Sequence, residues 1–215
     1  MNNPHFKAIF FDNDGLLVDT ETLWLEACRE ALAPLGVTIS NELYTVEVLG
    51  KGRALVRDLA REQGLSEDEI KALQSHRNNL YGEKLRKNVE LLDGVKETLE
   101  KLQGKFVMGI VTTSSREHLD IILDKTGLRK FFNFFITFED VTHPKPDPEP
   151  YLKAVELSGM PKANCLVLED SLRGVQAAKA AGLACYAIPE GWTRTHDFST
   201  ADKVLGNISE VANLL

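Results

Sequence analysis

Short apolar runs alternate with amphipathic stretches along most of the chain, and this alternation predicts an α/β core with a parallel sheet. The runs with the length and composition of strands are residues 6–11, 106–111, 134–137, 165–168 and 184–188. The helical patterns lie at residues 95–102, 117–125, after Pro150, at 172–181 and at 208–215.

The stretch between the first two strands has a helical pattern only. Leu23, Ala27 and Ala31 share one helix face near its start, and nothing in residues 21–86 has the pattern of a strand. Ser66 followed three residues later by Glu69 is a capping-box signature, which predicts that a helix begins there. We therefore expect an all-helical insertion in the α/β core.

Composition narrows the possible partners. The chain has 215 residues, of which 43% are hydrophobic and 27% charged, as in a globular protein with one core and a small insertion. A formal net charge of −7 leaves no basic stripe to meet nucleic acid or an anionic membrane, so we expect neither as a partner. A small anionic substrate remains compatible with one locally positive pocket.

The N-terminus and the cysteines suggest a compartment. Residues 1–5 contain no basic stretch leading into an apolar one, and no apolar run approaches the length of a membrane span. We expect a cytoplasmic protein. Cys28, Cys165 and Cys185 are widely spaced in apolar surroundings, so we expect reduced, buried thiols rather than a metal or redox site.

Two aspartates and a glycine follow the first apolar run directly. Asp12 and Asp14 stand at the predicted carboxyl end of the strand, and Gly15 lets the backbone turn sharply or approach a ligand closely. Ligands of open α/β sheets bind outside this edge. Taken alone, the residues are equally compatible with an ordinary loop.

Other strand ends also carry polar side chains. Thr112 begins a run of two threonines and two serines that suits a phosphate, although the same hydroxyls could simply cap the next helix. Glu169 and Asp170 close a later strand. Lys145 lies between Thr112 and Glu169 in the sequence and precedes Pro146, which fixes the local backbone so that the ammonium group is held in place. A surface turn is the alternative interpretation.

Taken together, these signals resemble the haloacid dehalogenase superfamily, in the phosphatase and phosphomutase branch that carries a helical cap after its first motif. The residues that match the four motifs in order are Asp12 to Thr20, then Thr112, then Lys145, then Glu169 with Asp170. The resemblance implies a Rossmann-like, doubly wound, mostly parallel sheet in residues 1–17 and 88–215. It also implies an all-α cap in residues 18–87 that sets substrate specificity.

Several acids in one crevice require a cation. Asp12, Asp14, Glu169 and Asp170 would repel one another there unless a hard divalent metal neutralised them, and an all-oxygen ligand set favours Mg²⁺. The resemblance implies that Asp12 and Asp170 give side-chain oxygens and Asp14 its main-chain carbonyl. In the same scheme Glu169 orients the water ligands of the metal.

The resemblance also implies a reaction. Asp12 would attack phosphorus and form an aspartyl-phosphate, while Asp14 would protonate the leaving oxygen and later take a proton from water. Asn13 has no expected role. The groups expected to hold the transferring oxygens are Lys145, Thr112 and the backbone amides of Thr113 and Ser114.

Other protein classes share parts of this pattern. A phospho-accepting receiver domain has a strand-end aspartate and a lysine, but it is about half as long and lacks both the insertion and an acid at the position of Asp14. True dehalogenases lack that second acid as well. An inactive relative is disfavoured because every motif residue is present.

The remaining competitor is a beta-phosphoglucomutase-like sugar phosphomutase. Trp24 stands where those mutases have a histidine in the cap hinge, and this difference favours a phosphatase. Lys51, Arg53 and Arg77 resemble cap residues that contact the distal group of a substrate. Solvated helix faces are the alternative interpretation of these three. We expect a monomer that acts on a small phosphorylated metabolite, because a closing cap excludes macromolecules.

Overall fold

Parallel strands form the centre of the computed structural model, which describes residues 6–215. The strands are β1 (Ala8–Phe11), β2 (Val107–Val111), β3 (Phe134–Ile136), β4 (Cys165–Glu169), β5 (Ala184–Ala187) and β6 (Lys203–Val204). Their order in the sheet is β3-β2-β1-β4-β5-β6, and every pairing is parallel. This is the predicted Rossmann-like sheet. The expectation that rests on residues 1–5 lies outside the described residues.

Helices occupy both faces of the sheet and the segment after β1. The α-helices of the described chain are α1 (Glu21–Leu32), α2 (Asn41–Leu43), α3 (Leu55–Glu62), α4 (Glu67–Asn88), α5 (Val95–Leu102), α6 (Arg116–Thr126), α7 (Glu149–Ser158), α8 (Leu172–Ala180) and α9 (Val211–Leu214). A π-helix, Tyr44–Gly50, continues from α2. None of the helices within residues 6–215 is long and apolar enough to cross a membrane.

The sheet is buried on both sides, which explains why its strands appear as continuous apolar runs. Along β1, Ile9 and Phe11 face one hydrophobic cluster with α5 and α6, and Ala8 and Phe10 face another with α7 and α8. The edge strand β6 was not predicted. Both of its residues are exposed, so it has no hydrophobic signal.

Helices α1 to α4 and the π-helix form the helical insertion, Glu21–Asn88. Its own apolar cluster includes Leu25, Cys28 and Tyr44, and α1 packs against α4. The predicted capping box at the start of α4 is confirmed, because the Ser66 hydroxyl accepts from the Glu69 amide and the Glu69 carboxylate accepts from the Ser66 amide. The three cysteines are free and buried, as predicted.

The chain enters and leaves the insertion at a single point. Val18 forms a parallel bridge with Asp14 and an antiparallel bridge with Leu91. The Asp19 amide donates to the Glu90 carbonyl at 3.2 Å, which ties the outgoing and returning segments together. Both crossings therefore lie beside the carboxyl end of the central strand β1.

Candidate active site

Three acids lie at the carboxyl ends of neighbouring strands. Asp12 follows β1, Glu169 ends β4 and Asp170 follows it, and β1 pairs with β4, so their side chains meet at the same edge of the sheet. Each offers a carboxylate oxygen within 4.8 Å of the others, and all three are buried. Burial raises the pKa of Asp12 well above its ordinary value, against the opposing charge of Lys145. Burial, and then the charges of Asp12 and Glu169, raise the pKa of Asp170.

Lys145 neutralises part of this acidic cluster. Its ammonium group donates to Asp12 Oδ1 and to Glu169 Oε1, both at 2.6 Å, and to the Val111 carbonyl at 2.7 Å. These three acceptors match the three ammonium protons of a side chain that is buried with them. Burial opposes the charge, but Asp12 and Glu169 outweigh it and raise the pKa of Lys145.

Glu169 is held on both oxygens. Oε1 accepts from Lys145 and from the Tyr151 hydroxyl at 2.6 Å, and Oε2 accepts from the Ser171 hydroxyl at 2.9 Å. Helix α8 passes so close that a Cβ on Gly174 would overlap the Glu169 carboxylate. Only glycine fits at that position, because any side chain would displace the acid that holds Lys145.

Asp14 has a different environment from Asp12, although it is only two residues away. Its Oδ1 accepts from the hydroxyls of Thr20 at 2.7 Å and Tyr81 at 3.4 Å. Its Oδ2 accepts from the hydroxyls of Thr112 at 3.0 Å and Ser114 at 2.8 Å. The Ser114 amide donates to the Thr112 hydroxyl, and Thr113 is exposed beside them.

Two cavities open beside Asp14. The smaller, here called the Asp12 cavity, has a volume of about 90 Å³ and lies between the acids, Lys145 and the π-helix. The other, here called the Trp24 cavity, has a volume of about 360 Å³ and extends under the helical insertion. Its lining includes Glu21, Trp24, Tyr44, Arg77, Asn78 and His118. Asp14 lines both cavities, so it stands where a small ligand would pass from one into the other.

The three basic residues predicted for substrate specificity occupy different places. Arg77 lines the Trp24 cavity, and its guanidinium lies over the Trp24 ring and donates to Asn78. Lys51 pairs with Glu47 at 2.7 Å, and Arg53 pairs with Glu47 and with Asp58. The side chains of Lys51 and Arg53 are 61% and 46% exposed, and neither is part of the lining of the two cavities.

Several residues of the site were not predicted from the sequence. Thr20 and Tyr81 contact Asp14, and Glu21 lines both cavities. Burial raises the pKa of Glu21 to about 7, although the Tyr44 hydroxyl donates to its carboxylate. Thr20 ends the first motif segment and Glu21 follows it directly, whereas Tyr81 is one of several polar residues on the long helix α4.

An acidic cleft with a buried lysine, at the carboxyl edge of a doubly wound parallel sheet, is an arrangement that can bind a divalent cation and a phosphoryl group. A family model of haloacid dehalogenase-like hydrolases matches residues 9–188. The chain therefore belongs to the haloacid dehalogenase-like hydrolases, as its motifs predicted, and it is placed among the phosphatases of that family.

Curated relatives match the chain over nearly its full length. It is 33% identical to hexitol phosphatase B of Escherichia coli over 219 residues, covering 98% of this chain and 97% of that protein. It is 32% identical to the protein CbbY of Rhodobacter capsulatus over 216 residues, covering 96% and 95%. The crystal structure of CbbY from Rhodobacter sphaeroides with phosphate superposes with a TM-score of 0.83, at 26% identity and 96% coverage of each chain.

Proposed function

We propose that the protein is a Mg²⁺-dependent phosphatase that hydrolyses a small phosphomonoester, a sugar phosphate or similar metabolite, through an aspartyl-phosphate. The observation that carries this proposal is the contrast between Asp12 and Asp14. Asp12 accepts from the Lys145 ammonium group, whose charge favours the ionised carboxylate against the opposing effect of burial, whereas Asp14 is held only by hydroxyl groups. A hydroxyl can donate to a carboxylate or accept from a carboxylic acid, so this environment serves both protonation states.

The two aspartates then divide the chemistry. A carboxylate oxygen of Asp12 attacks phosphorus in line, the bond from phosphorus to the ester oxygen breaks, and the departing oxygen takes the proton of Asp14. In the second half, Asp14 takes a proton from water as the water oxygen attacks phosphorus and releases Asp12. Lys145 and Thr112, with the Thr113 and Ser114 backbone, are proposed to hold the oxygens that carry the developing charge.

The donor set fits Mg²⁺. Asp12, Glu169 and Asp170 bring hard carboxylate oxygens within 4.8 Å of one another, with no sulfur or nitrogen ligand among them. We propose that Asp12 and Asp170 hold the ion with their side chains and Asp14 with its main-chain carbonyl. Glu169 is engaged by Lys145, Tyr151 and Ser171, and from there it would orient the water ligands of the ion. Bound Mg²⁺ would neutralise this cluster and the incoming phosphate.

The Trp24 cavity is proposed to receive the leaving group. Its volume of about 360 Å³ is that of a pocket for a small molecule, and its lining mixes aromatic rings with Glu21, Arg77 and Asn78. Such a lining suits a hydroxylated leaving group, and the similarity to a hexitol phosphatase supports this class of substrate. Lys51 and Arg53 remain proposed contacts only for a substrate that reaches beyond this cavity.

A panel of phosphomonoesters assayed with Mg²⁺ tests the proposal. We expect turnover of sugar or polyol phosphates, loss of turnover in excess chelator, and no turnover by Asp12→Asn with unchanged circular dichroism. Full activity of Asp12→Asn would show that Asp12 is not the nucleophile, and it would contradict the proposed mechanism. The mutase alternative predicts an isomerised sugar phosphate instead of inorganic phosphate, so both products are measured.

A further inference from the structure

Arg173, on helix α8, connects the acidic cluster to the helical insertion. It lines the Asp12 cavity, and its guanidinium donates to the Lys145 main-chain carbonyl. The sequence did not single it out, because it lies beyond the two acids of the fourth motif, Glu169 and Asp170. Nothing in the proposed mechanism uses it.

The other side of the Arg173 guanidinium faces the loop that follows the π-helix. A Cβ built on Gly52 would lie 2.5 Å from Nε and 2.6 Å from Cζ of Arg173. Gly52 also has a φ of +67°, a backbone conformation that glycine adopts readily. The loop backbone therefore packs directly against the guanidinium, and a side chain at position 52 would require the guanidinium to move.

Arg173 donates to a backbone carbonyl, with no acid as its ion-pair partner among the described residues. Among residues 6–215, no carboxylate lies within ion-pair distance of it, whereas Lys51 and Arg53 of the same loop each pair with Glu47. Burial lowers the pKa of Arg173. The guanidinium is half-buried and lies between two backbone segments. Because it has no acidic partner in the described chain, its role is to position these segments more than to neutralise a charge.

The two segments it joins are both close to residues that line one cavity. The π-helix contributes Val48 and Leu49 to the Asp12 cavity, and the Lys145 segment contributes the ammonium group that binds Asp12. Because Arg173 contacts both the Gly52 loop and the Lys145 carbonyl, displacing it would disturb the loop after the π-helix and the backbone of the lysine together.

We infer that Arg173 is a positioning residue that seats the Gly52 loop over the Asp12 cavity and fixes the Lys145 backbone beneath it. This inference rests on the proposed phosphatase function for its catalytic consequence only. The contact between Gly52 and Arg173 is independent of any activity.

A double-mutant cycle with a matched glycine control tests the contact. Gly36 lies in the same insertion with a φ of +69°, and a Cβ added there would meet no atom within 4 Å, so Gly36→Ala reports backbone strain alone. We expect Gly52→Ala to lower the urea midpoint of unfolding more than Gly36→Ala does. The excess should shrink in Gly52→Ala with Arg173→Ala, because the smaller side chain leaves room for the methyl group.

Activity then tests the positioning role. With an aryl phosphate and Mg²⁺, we expect Arg173→Ala to lower kcat by about tenfold or more, since small displacements of catalytic groups are costly, with a smaller change in KM. Arg173→Lys, which keeps a donor, should recover part of kcat. If Gly52→Ala does not fold, Arg173→Ala and Arg173→Lys carry the test.

The outcomes separate the two ideas. Loss of the proposed function would appear as a wild-type protein inactive on every phosphomonoester, while the unfolding cycle could still show the contact. The inference is overturned if Gly52→Ala behaves as Gly36→Ala in unfolding. It is also overturned if Arg173→Ala leaves kcat unchanged, or raises KM alone, as a simple substrate ligand would.

Discussion

The guanidinium carbon of Arg77 lies 4.4 Å from the centre of the Trp24 ring, a contact between helices α4 and α1 inside the insertion. The Tyr81 ring meets the same indole edge to face, with 4.9 Å between ring centres. Trp24 is therefore a fixed wall of its cavity. Its indole N–H can donate a hydrogen bond, but it has no second nitrogen with which to relay a proton as histidine does.

This wall leads to a prediction about products. A mutase must protect its aspartyl-phosphate from water until the sugar phosphate has reoriented in the active site. Trp24 offers no proton relay for that control. We expect β-glucose-1-phosphate to yield inorganic phosphate, with little glucose-6-phosphate even when a sugar bisphosphate is added as primer. Phosphorus NMR distinguishes the products. Isomerisation faster than phosphate release would favour the mutase.

Replacing Arg77 should alter specificity more than chemistry. A charge-assisted hydrogen bond contributes about 1.5–3 kcal/mol, so Arg77→Met should lower kcat/KM for a sugar phosphate by roughly 10- to 100-fold. The kcat/KM for a compact aryl phosphate should fall much less. Arg57→Met is the matched control, because Arg57 is an insertion arginine with a 47% exposed side chain outside both cavities. Equal losses for both substrates would show that Arg77 acts through the fold.

The acidic cluster should be stabilised by metal. In chelator, Asp170→Asn should melt a few degrees above the wild type, because it removes one buried charge from the cluster, and 1 kcal/mol corresponds to about 2–4 °C in a chain of this size. Added Mg²⁺ should raise the melting temperature of the wild type but not that of Asp170→Asn. A full Mg²⁺ response in the variant would place the ion elsewhere.

The hydroxyl environment of Asp14 leads to a prediction about leaving groups. Asp14→Asn cannot supply a proton, so hydrolysis of alkyl phosphates should fall on the order of 10²–10⁴-fold. The hydrolysis rate of aryl phosphates should fall less, because their leaving oxygen needs little protonation. Tyr81→Phe removes one hydroxyl contact to Asp14 and should show a weaker version of the same pattern. Uniform losses across leaving groups would assign Asp14 a structural role.

Glu21 should make stability depend on pH. Its pKa is raised from 4.5 to about 7 by burial, so the folded protein holds this proton more tightly than the unfolded chain does. The resulting stabilisation is complete below pH 4.5 and is lost as the pH rises through 7. Glu21→Gln stays neutral, so its melting temperature relative to the wild type should increase between about pH 5 and 8. A constant difference would contradict this assignment.

The predictions from the sequence agree best with the structure for functional residues that directly follow a strand. Asp12, Thr112 and Asp170 each come within one residue of a buried parallel strand, so a local pattern was sufficient to bring them together. Tyr81 and Arg173 lie on helices, and their roles depend on how the insertion and α8 pack against the sheet edge. No local pattern encodes that packing. Strand β6 was missed for a different reason, since its pairing uses backbone groups alone.

The bridges of Val18 to Asp14 and Leu91 hold both ends of the insertion at one point of the core. Backbone hydrogen bonds join its outgoing and returning segments, and these bonds do not depend on the side chains of the insertion. A different set of helices joined at the same two points would keep the connections to the sheet, but it would replace the contacts of Tyr81 to Asp14 and of Gly52 to Arg173. One contiguous segment therefore carries about half of the residues that line the Trp24 cavity, while the strand-end acids belong to the rest of the chain.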